Sequence, residues 1–226
     1  MIRPPAERNQ PQVTPMRPAL AVQVVSLRSR HLDEVMAIEQ AVYPKPWTRA
    51  LFADELRRTK TRHYLAALAP PASRWPPGRR WGRGRLVGYA GMLVQAGETH
   101  VTTVAVHPHQ HRKKVASHLL VGLMQAALAA DASAATLEVR VANRGAQRLY
   151  TAFGFAPVGV RPGYYAETAE DALVMWVHDL QAPAFAEALR GQIARLGSPG
   201  GASGAPDLHV PWVRGRNGLP SPRVGR

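Results

Sequence analysis

The 226-residue sequence predicts a single α+β domain in which helices layer on a central mixed sheet. Strand and helix signals follow one another in the order β, α, α, β, β, β, α, β, α, β, β. Within that order, Leu137 to Phe155 (LEVRVANRGAQRLYTAFGF) reads as a strand, helix, strand crossover. Apolar residues make up 46% of the chain, enough for one packed core at this length.

Residues 1 to 19 are Pro-rich and lack periodicity, which predicts a disordered extension, and the folded domain is expected over residues 20 to 181. It opens with a strand near Ala21 to Leu27, followed by a helix from Leu32 to Val42 with Val35, Met36 and Val42 on its inner face. Tyr43-Pro-Lys-Pro-Trp47 breaks that helix, and Thr48 caps a second one reaching Leu56. His63 to Leu68 reads as a strand. Residues 70 to 85 form an insertion with Arg74, Arg79, Arg80, Arg83 and Arg85, Trp75 and Trp81, and no acid. Two readings stay open for it: an RNA-contacting loop, or a disordered hairpin tip.

Strands at Leu86 to Val94 and His100 to Val106 lead into a basic turn and a long helix with Val115, Leu119, Leu123, Ala126 and Ala130 on one face. Thr136 to Val141 is β-rich, Asn143 can cap the next helix, and Gly154 can end it before Phe155 starts another strand. From residue 182 a C-terminal tail is expected. Phe185, Leu189, Ile193 and Leu196 give it a short amphipathic helix, and the Gly, Pro, Ser and Arg residues from about 197 to 226 predict disorder.

Lys and Arg outnumber Asp and Glu by 29 to 15, giving a net charge of +14 and a pI near 11.2. Anionic partners such as nucleotide phosphates, RNA or ribosomes fit that balance, as does an Arg-rich composition spent on solvated tails. Without cysteine there is no disulfide framework, thiolate nucleophile or Cys-based zinc site. The N-terminus has no apolar h-region, and no run of about 18 apolar residues occurs, so neither a signal peptide nor a membrane span is expected and a cytoplasmic location is. His107, His109, His111 and His118 cluster, yet no carboxylate accompanies them and alternate strand-end residues face opposite ways, so no metal site is expected.

Chemistry concentrates in the crossover. Glu138 on a strand and Tyr150 on the following helix are candidates for a base and an acid. Alone, each has a plainer reading, Glu138 as a surface carboxylate paired with Arg140 and Tyr150 as a core aromatic. No Ser-His-Asp order or P-loop competes with them. Upstream, the backbone donors at the start of the long helix attract phosphates.

From Thr103 to Leu180 the order of these signals resembles the GNAT N-acetyltransferases. LEVRVAN, LYTAFGF, RPGYY and EDALVM together resemble the RimI branch, which acetylates protein N-termini. The resemblance implies a mostly antiparallel central sheet flanked by helices, and acetyl-coenzyme A in a splay between two central strands. It assigns cofactor contacts to Val104, Ala105 and Val106, to the turn His111, Arg112, Lys113, Lys114, Val115, Ala116 and Ser117, and to Asn143. In the family that turn reads Q/R-x-x-G-x-G/A. Here His111 replaces the Gln or Arg, and Lys114 stands where glycine is usual, in a helical first turn that is expected to need no positive φ. Glu138 and Tyr150 fall on the family's base and acid. Tyr43, Pro46 and Trp47 on one side, and Tyr164 and Tyr165 on the other, fall on its peptide-gripping loops.

An amine attacks a thioester only when neutral, and an α-amino group with a pKa near 8 is about nine-tenths protonated at pH 7, so a base is needed. Glu138 would take that proton through water, and Tyr150 would donate a proton to the departing thiolate or hold it by hydrogen bonding. The resemblance thus implies acetyl transfer to the N-terminal amine of a protein, with the alanine-starting eighteenth protein of the small ribosomal subunit as the family's target. Two other functions remain open: acetylation of lysine or a small-molecule amine, and ribosome or RNA binding by a GNAT fold without turnover, through the Arg-rich segments.

Overall fold

The computed structural model describes residues 22–70 and 84–197. The expected extension at 1–19, most of the insertion and the tail beyond 197 lie outside the described residues. Among the described residues, seven strands form one sheet: β1 (Gln23–Ser26), β2 (Arg62–Ala69), β3 (Arg85–Gln95), β4 (Glu98–Val106), β5 (Ala134–Arg140), β6 (Ala156–Tyr165) and β7 (Glu170–Val177). Among the described residues, five α-helices accompany it: α1 (Leu32–Val42), α2 (Arg49–Arg57), α3 (Val115–Ala129), α4 (Arg144–Ala152) and α5 (Pro183–Leu196). The strand order is β1-β2-β3-β4-β5-β7-β6, and β4 with β5 is the parallel pair in an otherwise antiparallel sheet. The α+β expectation and its mostly antiparallel sheet therefore hold.

Local chemistry accounts for the boundaries. Thr48 caps α2 by accepting the Leu51 N–H at 3.2 Å, and Asn143 caps α4 by accepting the Ala146 N–H at 3.0 Å. Gly154, at φ +89°, closes α4 in a conformation that side chains disfavour. The expected insertion is narrower at its base than 70 to 85, because Arg85 already pairs with Ala69 in the sheet. On α3, Val115, Leu119, Leu123 and Ala126 are buried as their spacing requires. Ala130 is not part of that face: it lies past the helix end and is exposed, since the turn into β5 begins there.

Two cores sandwich the sheet. The larger joins Leu119, Leu123, Leu137, Phe153, Phe155 and Met175 with Phe185 and Leu189 of α5, and the smaller gathers Val35, Ile38, Phe52, Tyr64 and Tyr89 beneath α1 and α2. A bulge in β4 divides its residues between them. Gly91 faces Thr103 while Met92 faces Val101, which leaves Thr102 as the extra residue. Val101 consequently packs into the larger core, and Ala105, four residues on, packs into the smaller one.

Gly91 shows how tightly the second core is built. A Cβ there would stand 2.3 Å from the Tyr64 ring, whose hydroxyl is fixed by Glu55 at 2.9 Å. Gly91→Ala is therefore expected to cost about 3 kcal/mol, read as a fall in melting temperature of roughly 6–12 °C, with the strand intact.

Candidate active site

The parallel pairing of β4 and β5 runs from Glu98↔Ala134 to Val101↔Leu137 and stops there. Beyond that point β4 continues to Val106 paired only with β3, and β5 to Arg140 paired only with β7. The strands part, and their facing backbone groups are left outside the ladder. A cavity of about 660 Å³ occupies this end of the sheet, lined by Val101 to Val104, Leu137 to Arg140, Asn143, Ala146, Tyr150 and Tyr165, with Glu39, Tyr43 and Pro46 to Thr48 opposite.

Glu138 reaches it by strand alternation. Leu137 and Val139 are buried in the larger core, so the residue between them points to the other face. Its side chain is only 5% exposed, and each oxygen has a partner: His100 Nε2 lies 3.0 Å from Oε2, and Arg161 Nη1 lies 3.2 Å from Oε1. The pairing with Arg140 that the plainer reading of Glu138 required does not form. Arg140 turns instead to the connection after β6 and the first residue of β7, bonding Glu167 at 2.6 Å, Thr168 at 2.6 Å and Glu170, while its guanidinium lies 3.9 Å over the Tyr165 ring. Neither His100 nor Arg161 carries a sequence signal, since both meet Glu138 only through strand pairing.

Tyr150 is 8% exposed and packs edge-on to Phe155 at 6.0 Å while still lining the cavity. Burial, reinforced by Tyr43 and Tyr165 nearby, pushes its phenol well above the ordinary tyrosine range. It stays a neutral donor throughout physiological pH.

Tyr43, Pro46 and Trp47 form the opposite wall. The Tyr43 hydroxyl shares a 3.2 Å hydrogen bond with Thr103 Oγ1, and the Trp47 N–H donates to Glu39 Oε2 at 2.6 Å. Tyr165 lines the cavity, its pKa pushed up to about 12 by burial, and its hydroxyl makes a long 3.5 Å contact with the Glu138 carbonyl. Tyr164 is elsewhere: it is 45% exposed, outside the cavity lining, and meets Tyr165 edge-on at 5.2 Å.

Of the residues expected to hold a cofactor, Val104 and Asn143 line the cavity, whereas the Ala105 side chain is buried away from it in the smaller core. Val106 packs against the larger core, and its carbonyl meets His111 Nε2 at 3.0 Å. The turn that follows leads into α3, where Val115 is buried and Ala116 and Ser117 are half-buried. Helix α3 has no side-chain cap, so its first-turn N–H groups remain available to an anion.

Lys114 corrects the expectation for its position. It adopts φ +62°, the left-handed conformation for which glycine is suited, as does Arg112 at φ +63°. The Lys114 ammonium points away from the turn and donates to the Arg195 carbonyl near the end of α5 at 2.7 Å, and Lys113 folds back onto His109 and Gln110. A lysine thus holds the backbone shape of the missing glycine. Lys114→Gly is expected to change stability by no more than about 1 kcal/mol, because relieved backbone strain offsets added chain entropy. Coenzyme A affinity, measured by calorimetry, should stay within about threefold; a tenfold loss would assign binding to the ammonium itself.

Residues 32–155 match the Acetyltransferase (GNAT) family. The chain belongs to the GNAT acetyltransferase family. This N-acetyltransferase is 32% identical over 154 residues to a Bacillus subtilis (strain 168) protein named "Putative ribosomal protein bS18-alanine N-acetyltransferase", covering 68% of this chain and 93% of that one. Its fold is similar to the crystal structure of the ribosomal-protein-S18-alanine N-acetyltransferase from Escherichia coli, with TM-score 0.58 and 24% identity over 71% of this chain and 96% of that one. It is similar too to a chain of the NatC complex bound to Gag peptide and CoA, with TM-score 0.57 and 15% identity over 70% of this chain and 99% of that one. Among the described residues, no helix of the GNAT protein is long and apolar enough to cross a membrane.

Proposed function

We propose that this GNAT acetyltransferase moves an acetyl group from acetyl-coenzyme A to the N-terminal α-amine of a protein, with an alanine-starting small-subunit ribosomal protein as acceptor. The observation that carries this reading is the meeting of Glu138 and Tyr150 in one cavity where β4 and β5 part, opposite a wall of Tyr43, Pro46 and Trp47. The name of the Bacillus subtilis relative supports the acceptor, and the peptide and CoA of the NatC complex support the pairing of substrates on this fold.

The chain suits the donor. Backbone groups left unpaired along the parted strands match an amide-bearing arm, and the uncapped start of α3 with Arg112 matches the phosphates. Val104, Asn143 and residues 111 to 117 would hold it, and the bound thioester supplies the acetyl group.

The acceptor arrives mostly as an ammonium ion, because an α-amino group has a pKa of about 8. Glu138 takes its proton through a water. To do so the carboxylate must exchange one partner, and Arg161 is the one able to leave: it is 57% exposed on the outer strand β6, whereas His100 stands on the central β4. The water that relays the proton takes the place of the Arg161 guanidinium at Oε1. Tyr150 supplies a neutral hydroxyl to the sulfur as it departs.

Acetyl transfer to a short Ala-starting peptide is the test, beside a peptide blocked at its N-terminus and carrying an internal lysine. Modification of the free N-terminus alone is expected. Modification of the blocked peptide would replace this reading with lysine acetylation, and transfer to neither would remove it.

A further inference from the structure

Glu39 is a buried carboxylate that the proposed chemistry leaves unused. It stands on α1, is 3% exposed and lines the cavity wall opposite Glu138. Its Oε2 accepts the Trp47 backbone N–H at 2.6 Å, and its Oε1 accepts the Tyr89 hydroxyl of β3. The contacts close into a ring of four residues. Trp47 packs on Phe52 of α2 at 5.3 Å, Phe52 meets Tyr89 edge-on at 5.5 Å, and Tyr89 returns to Glu39. The Glu39 carbonyl also accepts the Tyr43 N–H at 2.9 Å.

The sequence leaves this segment few other ways to be held. Pro44 and Pro46 have no N–H, so between residues 44 and 47 only Lys45 and Trp47 can donate from the backbone. A carboxylate this deep must keep its donors, since an unpaired buried charge is strongly disfavoured. Burial raises the Glu39 pKa, and its bonds from Tyr89 and Trp47 offset only part of that rise. The ring therefore stands or falls with the Trp47 amide in place.

We infer that Glu39 is a positioning residue that fixes the Tyr43 to Trp47 segment as the acceptor wall, and so sets affinity for the peptide and not for the acetyl donor. This rests on the reading of that wall as the acceptor side. Unlike Glu138 it contributes no proton step, and its effect is separable from chemistry as a change in KM.

Glu39→Gln preserves the volume but offers one acceptor oxygen and one NH2 group to two donors. With the Ala-starting peptide, the variant is expected to show a peptide KM raised about tenfold, kcat altered less than about threefold, and unchanged coenzyme A affinity. Hydrogen exchange at the Trp47 amide should accelerate in the same variant whatever the acceptor. Unchanged exchange at Trp47, or an unchanged peptide KM in an active enzyme, overturns the inference. If the wild-type protein leaves the peptide N-terminus unmodified, the function proposed above fails, and Trp47 exchange alone decides whether Glu39 holds the wall. Should Glu39→Gln not fold, Tyr89→Phe removes one donor only. It should speed Trp47 exchange and raise the peptide KM about threefold, and no change in either overturns the inference.

Discussion

Glu138→Gln is expected to lower kcat by about 10³-fold while coenzyme A affinity stays within about twofold. The substitution keeps the shape of a side chain that is 5% exposed between His100 and Arg161, and removes its capacity to take a proton together with its charge. One of its two donors will then face an NH2 group, so a thermal melt run in parallel separates lost chemistry from lost folding. The pH dependence gives a sharper criterion. An α-amine with a pKa near 8 is about one-tenth neutral at pH 7 and about nine-tenths neutral at pH 9, so an enzyme lacking its base should recover by up to about tenfold over that range. A deficit that stays constant from pH 7 to 9 would assign Glu138 to holding the acceptor rather than to deprotonating it. An unchanged rate would remove it from the mechanism.

Whether this chemistry was legible depends on the distance over which each contact is encoded. Glu138, Asn143 and Tyr150 lie within one strand, helix, strand crossover, where period-two alternation, a cap residue and a closing glycine set direction and spacing locally. The partners of Glu138 are encoded nowhere nearby. Arg161 arrives by way of β7, which sits between β5 and β6, and His100 arrives from β4 at the end of the parallel register. Arg140 was the nearest cation in sequence, two residues along the same strand face, yet three acceptors in the segment after β6 draw it away. Ala105 illustrates a second limit: the bulge at Thr102 flips the faces of β4, and no single-strand pattern announces it. Lys114 illustrates a third, because a left-handed lysine is stabilised by a carbonyl on α5, 81 residues away in the chain.

Tyr150→Phe is expected to lower kcat by about 10²-fold without moving the rising limb of the pH–rate profile. The phenol is held neutral by burial and by Tyr43 and Tyr165 beside it, so it does not titrate where the amine does. Its raised pKa also limits what it can do. Burial holds the Tyr150 phenol above the ordinary value of about 10, and a thiol such as that of cysteine titrates lower, at about 8.5, so complete transfer of the Tyr150 proton to a departing thiolate runs uphill. In the proposed mechanism, stabilisation of the sulfur by a donated hydrogen bond is therefore the larger contribution, and a phenylalanine of the same shape would lose it. Stability supplies an independent check. A group whose folded pKa lies above its unfolded value adds stability that is complete below pH 10 and is lost as pH rises further, and the phenylalanine variant lacks that alkaline loss. A core-only tyrosine would show the same change in alkaline unfolding with an unaltered kcat, so a measured fall in kcat distinguishes a hydroxyl that meets the reacting group from one that merely packs.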